Sequence, residues 1–270
     1  MNRQEWVAGH PYLQATADLN ALIEGAVVEI DIPAAAIPAW DEYLDDYRAG
    51  VPLLHSSVAA IDLAPAAPAI AALIQKTSTL PLPDPLASEA RALVDEQRAD
   101  PDTPNRFLAW LVDRESEPPA HPGMVQYLGW AVLARYLHGV VVGFSRWRDE
   151  ERWLRNYCPA CAAPPAMGQL TGKDPGRMRF LSCGACRTRW RYRRTGCPYC
   201  DSDDHQLLTL GVEGEGNLRI DYCDSCKGYL KTYNGEGSEG LYLADWTSVH
   251  LDVIAADSGL KRLAASLYAL

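Results

Sequence analysis

All eight cysteines of this 270-residue chain fall in four Cys-x-x-Cys pairs, Cys158/Cys161, Cys183/Cys186, Cys197/Cys200 and Cys223/Cys226. Such a turn lets two thiolates grip one ion while backbone amides point at the sulfurs, and two turns complete a tetrahedral site. Cys161 and Cys183 are separated by 21 residues and Cys200 and Cys223 by 22, so two tandem modules of nearly equal size follow. Consecutive pairing assigns Cys158, Cys161, Cys183 and Cys186 to one site and Cys197, Cys200, Cys223 and Cys226 to the other. Pairing first with third and second with fourth uses the same residues as a cross-brace. Metal-free buried thiols, or a redox pair opening a helix after a strand, fit four regular pairs less well.

Each interval is long enough for a small sheet between its knuckles, as in zinc ribbons and rubredoxins, where metal supplies the stability that so small a core cannot. Soft thiolates select zinc or iron. Two bound metal ions are expected, with no open coordination position and hence no hydrolytic activity.

The opening residues lack the basic start, apolar stretch and small-residue cleavage site of an export signal, so the expected compartment is the cytoplasm. Thiols there stay reduced, which again favours ligation over disulfides. Residues 125–144 are apolar enough to raise a membrane span, but Arg135 and His138 sit in the middle, where charge is costly. A buried helix is the better reading.

The net charge of −10 is unevenly spread. Residues 1–145 carry a net −11, residues 146–200 a net +8 and residues 201–270 a net −7. The first block reads as helices near 11–24, 38–49, 65–77, 85–98, 104–114 and 122–143, with Asp84-Pro85 and Thr103-Pro104 as start signals. Trp40, Trp110, Tyr127 and Trp130 read as core, and His10, His55, His121 and His138 as surface or packing residues. No Ser/His/Asp set, phosphate loop or paired-carboxylate motif stands out there.

Strand-like runs follow at 178–182, 188–194, 206–212, 219–222 and 228–233, with a glycine-rich turn at Gly214–Asn217. Helical spacing returns from Leu241 to the end. The fold expected is multidomain α plus small β: an all-helical domain over 1–150, rubredoxin-like or zinc-ribbon modules over 151–195 and 196–240, and a C-terminal helix over 241–270 packing on the body. In the run from Arg187 to Arg194, alternation puts Arg187, Arg189, Arg191 and Arg193 on one face and Trp190 and Tyr192 on the other. That face suits phosphate, RNA or an acidic protein segment, or is a solvated edge docking the chain's own acidic part. Asp201, Asp203 and Asp204 read as a solvated loop beside the third knuckle.

Several blocks together resemble the formate dehydrogenase accessory protein family, FdhE. They are Cys158-Pro159-Ala160-Cys161; Arg179-Phe180-Leu181-Ser182 leading into Cys183-Gly184-Ala185-Cys186 with Trp190 beyond; Cys197-Pro198-Tyr199-Cys200; and Cys223 to Lys231. Leu243-Ala244-Asp245-Trp246 and Leu251-Asp252 resemble the family's last helix. Gly9-His10-Pro11 and Gln126-Tyr127-Leu128-Gly129-Trp130 resemble its N-terminal part. Ala162 stands where glycine is usual. The resemblance implies a non-enzymatic cytoplasmic maturation factor that binds the catalytic subunit of a respiratory formate dehydrogenase, with iron favoured over zinc in both sites. It leaves a homodimer open and makes nucleic acid an unlikely partner. The alternative is a zinc-ribbon nucleic-acid-binding protein using the arginine strand.

Overall fold

The computed structural model describes residues 2–113, 116–173, 175–202, 206–264 and 266–268. Helices occupy α1 (Arg3–Gly9), α2 (Gln14–Val28), α3 (Trp40–Ala49), α4 (Ala67–Thr77), α5 (Asp84–Ala99), α6 (Thr103–Val112), α7 (Pro122–Tyr136), α8 (His138–Trp147), α9 (Glu150–Trp153), α10 (Glu239–Tyr242) and α11 (Val249–Asp257). Strands are β1 (Met167–Thr171), β2 (Met178–Ser182), β3 (Arg189–Tyr192), β4 (Leu207–Gly211), β5 (Leu218–Cys223) and β6 (Tyr229–Asn234). They group into two compact units, one of residues 1–14, 41–58 and 148–266, the other of residues 15–40, 59–147 and 267–270.

The second unit is helical. Its α4 packs on α5, α6 and α7, and Ile70, Leu73 and Ile74 of α4 are fully buried, as are Leu93 of α5 and Val125, Leu128, Val132 and Leu133 of α7. Trp110, Tyr127 and Trp130 are core, as their helical spacing predicts. Pro85 and Pro104 lie in first turns, where the missing N–H costs nothing. Asp84 and Thr103 are helical rather than capping, and no side chain caps either helix. The apolar stretch 125–144 forms α7 and α8, bent by 62°. Among the described residues no single helix is long and apolar enough to cross a membrane.

The cysteine-rich unit is built on one six-stranded sheet of order β3-β2-β1-β6-β5-β4. Strands β1 to β3 and β4 to β6 are antiparallel meanders, and parallel pairing of β1 with β6 joins them. Strand β1 is absent from the runs expected from the sequence. It is buried along its whole length although Gln169 and Thr171 are polar, and with Gly168 in its middle it is neither a β-branched run nor a clear strand pattern in the sequence. At the joint Gly168 stands opposite Thr232, and a Cβ there would lie 2.7 Å from Leu230 Cδ2 and 3.0 Å from Thr232 Oγ1. A side chain at this position would have to displace those of Leu230 and Thr232, so glycine fits the joint without repacking.

The last part of this unit is held by buried charge. Lys231 of β6, 1% exposed, reaches Asp245 Oδ1 at 2.7 Å and Asp252 Oδ2 at 2.9 Å, and Arg262 donates to Asp245 Oδ1 at 2.6 Å. Burial alone would raise the Asp245 pKa, but Lys231 and Arg262 outweigh it and hold the carboxyl well below its ordinary value. The helical spacing from Leu241 onward yields α10, a 3-10 turn at Asp245–Ser248 and α11, not one long helix. Gly259, at φ +72°, reverses the chain after α11. Lys261 then pairs with Gly228, beside the fourth knuckle.

Gly168→Val should therefore overpack the joint between the meanders and cost about 1–3 kcal/mol, although it touches no cysteine. Denaturant unfolding of the metal-loaded protein measures this; an unchanged midpoint contradicts the role given to the joint.

Candidate metal centres

Each Cys-x-x-Cys pair is a tight turn whose next residue is left-handed: Ala162 (φ 63°), Arg187 (63°), Asp201 (47°) and Lys227 (59°). None is glycine, so each knuckle carries roughly 1–2 kcal/mol of backbone strain. Such strain persists only where the surroundings over-determine the turn. The amide of Ala162 donates to the Cys158 carbonyl and that of Lys227 to the Cys223 carbonyl, both at 3.0 Å. The amides of Cys158, Cys183 and Cys223 donate to the carbonyls of Ala163, Thr188 and Gly228 at 2.9–3.0 Å. This folding aims other amides at sulfur: Ala160 N–H lies 3.4 Å from Cys158 Sγ, Tyr199 N–H 3.4 Å from Cys197 Sγ, and Gly228 N–H 3.3 Å from Cys226 Sγ.

The first knuckle of each module precedes its meander and the second joins its last two strands, so the sheet carries the knuckles to one another. Cys158, Cys161, Cys183 and Cys186 form one group, and Cys197, Cys200, Cys223 and Cys226 the other. Consecutive pairing, not the cross-brace, is what the geometry holds. The sulfurs of Cys158 and Cys186 are 3.4 Å apart, of Cys161 and Cys183 3.5 Å, of Cys197 and Cys226 3.7 Å, and of Cys200 and Cys223 3.8 Å. A tetrahedron with metal–sulfur bonds of ~2.3 Å has edges of about 3.8 Å. The donor set and its spacing fit a four-coordinate soft ion.

Electrostatics agree with a cation at each centre. Burial pushes the Cys158 thiol well above its usual pKa, and hydrogen bonds to Cys158, Cys183 and Cys186 do the same for Cys161. For Cys186, hydrogen bonding with the neighbouring thiols and Thr188 outweighs burial and holds the pKa well down. Cys223 is brought to about 7, because the amides of Cys226 and Ser225 and nearby thiols outweigh burial. Four thiols this close share their protons unequally, and four thiolates need a positive ion between them. A tetrathiolate ion supplies stability or, if iron, one-electron transfer.

Sequence reasoning missed what braces these knuckles. The amides of Leu53 and Leu54 donate to the carbonyls of Pro159 and Ala160 at 2.9 and 2.8 Å, closing the first knuckle from a segment a hundred residues away. Tyr192 donates its hydroxyl to the Cys197 carbonyl at 3.1 Å, and Lys261 donates its amide to the Lys227 carbonyl at 2.8 Å. No local pattern announces any of these.

The arginine run does alternate on β3: Trp190 and Tyr192 are buried, while the arginines lie toward the other face. Much of that face is taken. Arg191 pairs with Glu151, Arg193 with Asp201, and the Arg189 guanidinium lies 4.2 Å from the centre of the Phe180 ring. Asp203 and Asp204 fall outside the described residues. His55, His121 and His138 join no cluster of metal-binding side chains among the described residues.

Residues 157–194, which hold the first cysteine quartet, match the model of the FdhE central domain. Over these residues the chain is similar to FdhE. It is 33% identical over 154 residues to the FdhE homolog of Pseudomonas aeruginosa, covering 53% of this chain and 49% of that protein. It is also 33% identical over 184 residues to the Stutzerimonas stutzeri homolog, covering 65% and 58%. The chain thus spans about half the length of the curated relatives it matches. The crystal structure of the Pseudomonas aeruginosa FdhE protein superposes with a TM-score of 0.61 at 24% identity, over 97% of this chain and 91% of that one. The fold is shared.

The centres differ in shielding: the first quartet is buried throughout, whereas Cys200 of the second is exposed and Cys226 half-buried. Cobalt-loaded protein treated with excess chelator should lose its thiolate-to-metal absorption in two phases, the faster from the second centre. Cys197→Ser should abolish the fast phase. A single phase, or loss of the slow one in that variant, contradicts this reading.

Proposed function

We propose that the chain is an accessory factor in the assembly of a molybdenum- or tungsten-dependent formate dehydrogenase, acting by binding its catalytic subunit, and is not itself an enzyme. The observation that carries this reading is the pair of closed four-cysteine centres on one sheet in an FdhE-like chain. Closed tetrathiolate centres suit a scaffold or a redox sensor better than a hydrolase, because no coordination position is left for substrate. Iron is favoured in both by the family resemblance, and iron would let client binding respond to redox state.

The nucleic-acid reading rested on the arginine face of β3. With Arg191 and Arg193 paired to carboxylates and the chain acidic overall, that face offers less positive charge for phosphate contacts than its four arginines suggest. The accessory reading is the stronger.

A tagged copy expressed in its own host without oxygen should co-purify with a formate dehydrogenase catalytic subunit, and should be red with iron in its centres. The Cys197→Ser/Cys200→Ser variant should lose half of the thiolate-bound iron. Failure to recover any such subunit, together with normal formate oxidation after deletion of the gene, contradicts the proposal. Colourless zinc protein would remove the redox element alone.

A further inference from the structure

Glu215 sits in the turn between β4 and β5, between two glycines, where a carboxylate would ordinarily be solvated. Its side chain is only 6% exposed. Gly214, at φ +85°, helps turn the chain so that Glu215 folds inward. There it meets two imidazoles from distant parts of the same unit: His10, just after α1, and His250, near the start of α11. His10 Nε2 lies 3.0 Å and His250 Nε2 2.7 Å from the same oxygen, Oε1. Among the described residues, these two rings are the only charge partners given to this carboxylate.

The tautomer of His10 is fixed by its other side. His10 Nδ1 lies 2.8 Å from the Trp6 carbonyl oxygen, which can only accept, so Nδ1 carries a proton. The ring is further held by stacking on Trp6, with centroids 3.8 Å apart. Nε2 of the neutral ring then presents a lone pair to a carboxylate oxygen. That arrangement is repulsive unless a cation lies between them or the ring takes a second proton. An Nδ1–H donated to a backbone carbonyl with Nε2 left free is the usual orientation of a metal-ligating histidine.

The geometry points to a third metal site, in which His10 Nε2, His250 Nε2 and a Glu215 carboxylate oxygen hold one divalent first-row transition ion. The three donor atoms lie within 4.8 Å of one another. Separations of 2.7 and 3.0 Å match neighbouring ligands on bonds of ~2.1 Å at right angles, which are about 3.0 Å apart. Two imidazoles and one carboxylate suit zinc, ferrous iron, cobalt or nickel rather than magnesium or calcium. Unlike the thiolate centres, this set leaves coordination positions for water. The ion would tie the segment after α1, the β4–β5 turn and α11 into one body.

Cobalt(II) titration of the reduced, metal-free 270-residue chain tests this. The wild type should take up three ions, two with sulfur-to-cobalt charge transfer and one with only weak d–d bands. Glu215→Gln and His250→Gln should each take up two, with the thiolate bands unchanged, which also shows that both variants fold. Zinc added to protein already holding two ions should shift the ring nitrogen resonances of His10 and His250. Saturation of the wild type at two ions with unmoved ring resonances overturns the site, as does a third ion retained in Glu215→Gln.

Discussion

Eight thiols gathered into two quartets, with sulfurs 3.4–3.8 Å apart, cannot all release their protons unless a cation enters each quartet. Most of the cysteine-rich unit follows from that requirement. Four turns hold non-glycine residues in left-handed backbone, a cost the chain bears because each turn aims amides and sulfurs at one point. Metal binding in such a unit is folding free energy, since no comparable site exists in the unfolded chain.

The modules are not independent beads. Parallel pairing of β1 with β6 makes one sheet of two meanders, and Gly168 leaves room at that joint for the side chains of Leu230 and Thr232. Lys231, on the strand that makes this joint, is also the buried cation on which Asp245 and Asp252 converge. The sheet joint and the docking of the C-terminal segment therefore share an element, so a lesion in one strand propagates to both.

The cysteine groups were legible because ligand chemistry fixes spacing along the chain: Cys-x-x-Cys is a local pattern, and nearly equal loops select consecutive pairing. The positions of α3 to α7 were legible from period and proline punctuation. Strand β1 was not, since a five-residue strand with Gly168 in it and with polar Gln169 and Thr171 buried carries little strand signal in its sequence. Apolar spacing past Leu260 extended the expected final helix beyond Gly259, where the backbone turns left-handed. The face alternation of β3 was plain, but not the partners of its arginines, because Glu151 and Asp201 are placed by tertiary packing. Nothing local could join His10, Glu215 and His250, which meet only through the fold.

The central claim is that the cysteines work as two closed sets of four. Alkylation of partly metal-loaded protein, read by mass spectrometry of chains holding a single thiolate-bound ion, tests it most directly. The account predicts that the protected cysteines are either Cys158, Cys161, Cys183 and Cys186 or Cys197, Cys200, Cys223 and Cys226, always as whole sets. Protection that mixes the sets, such as Cys158 and Cys161 with Cys197 and Cys200, would contradict it.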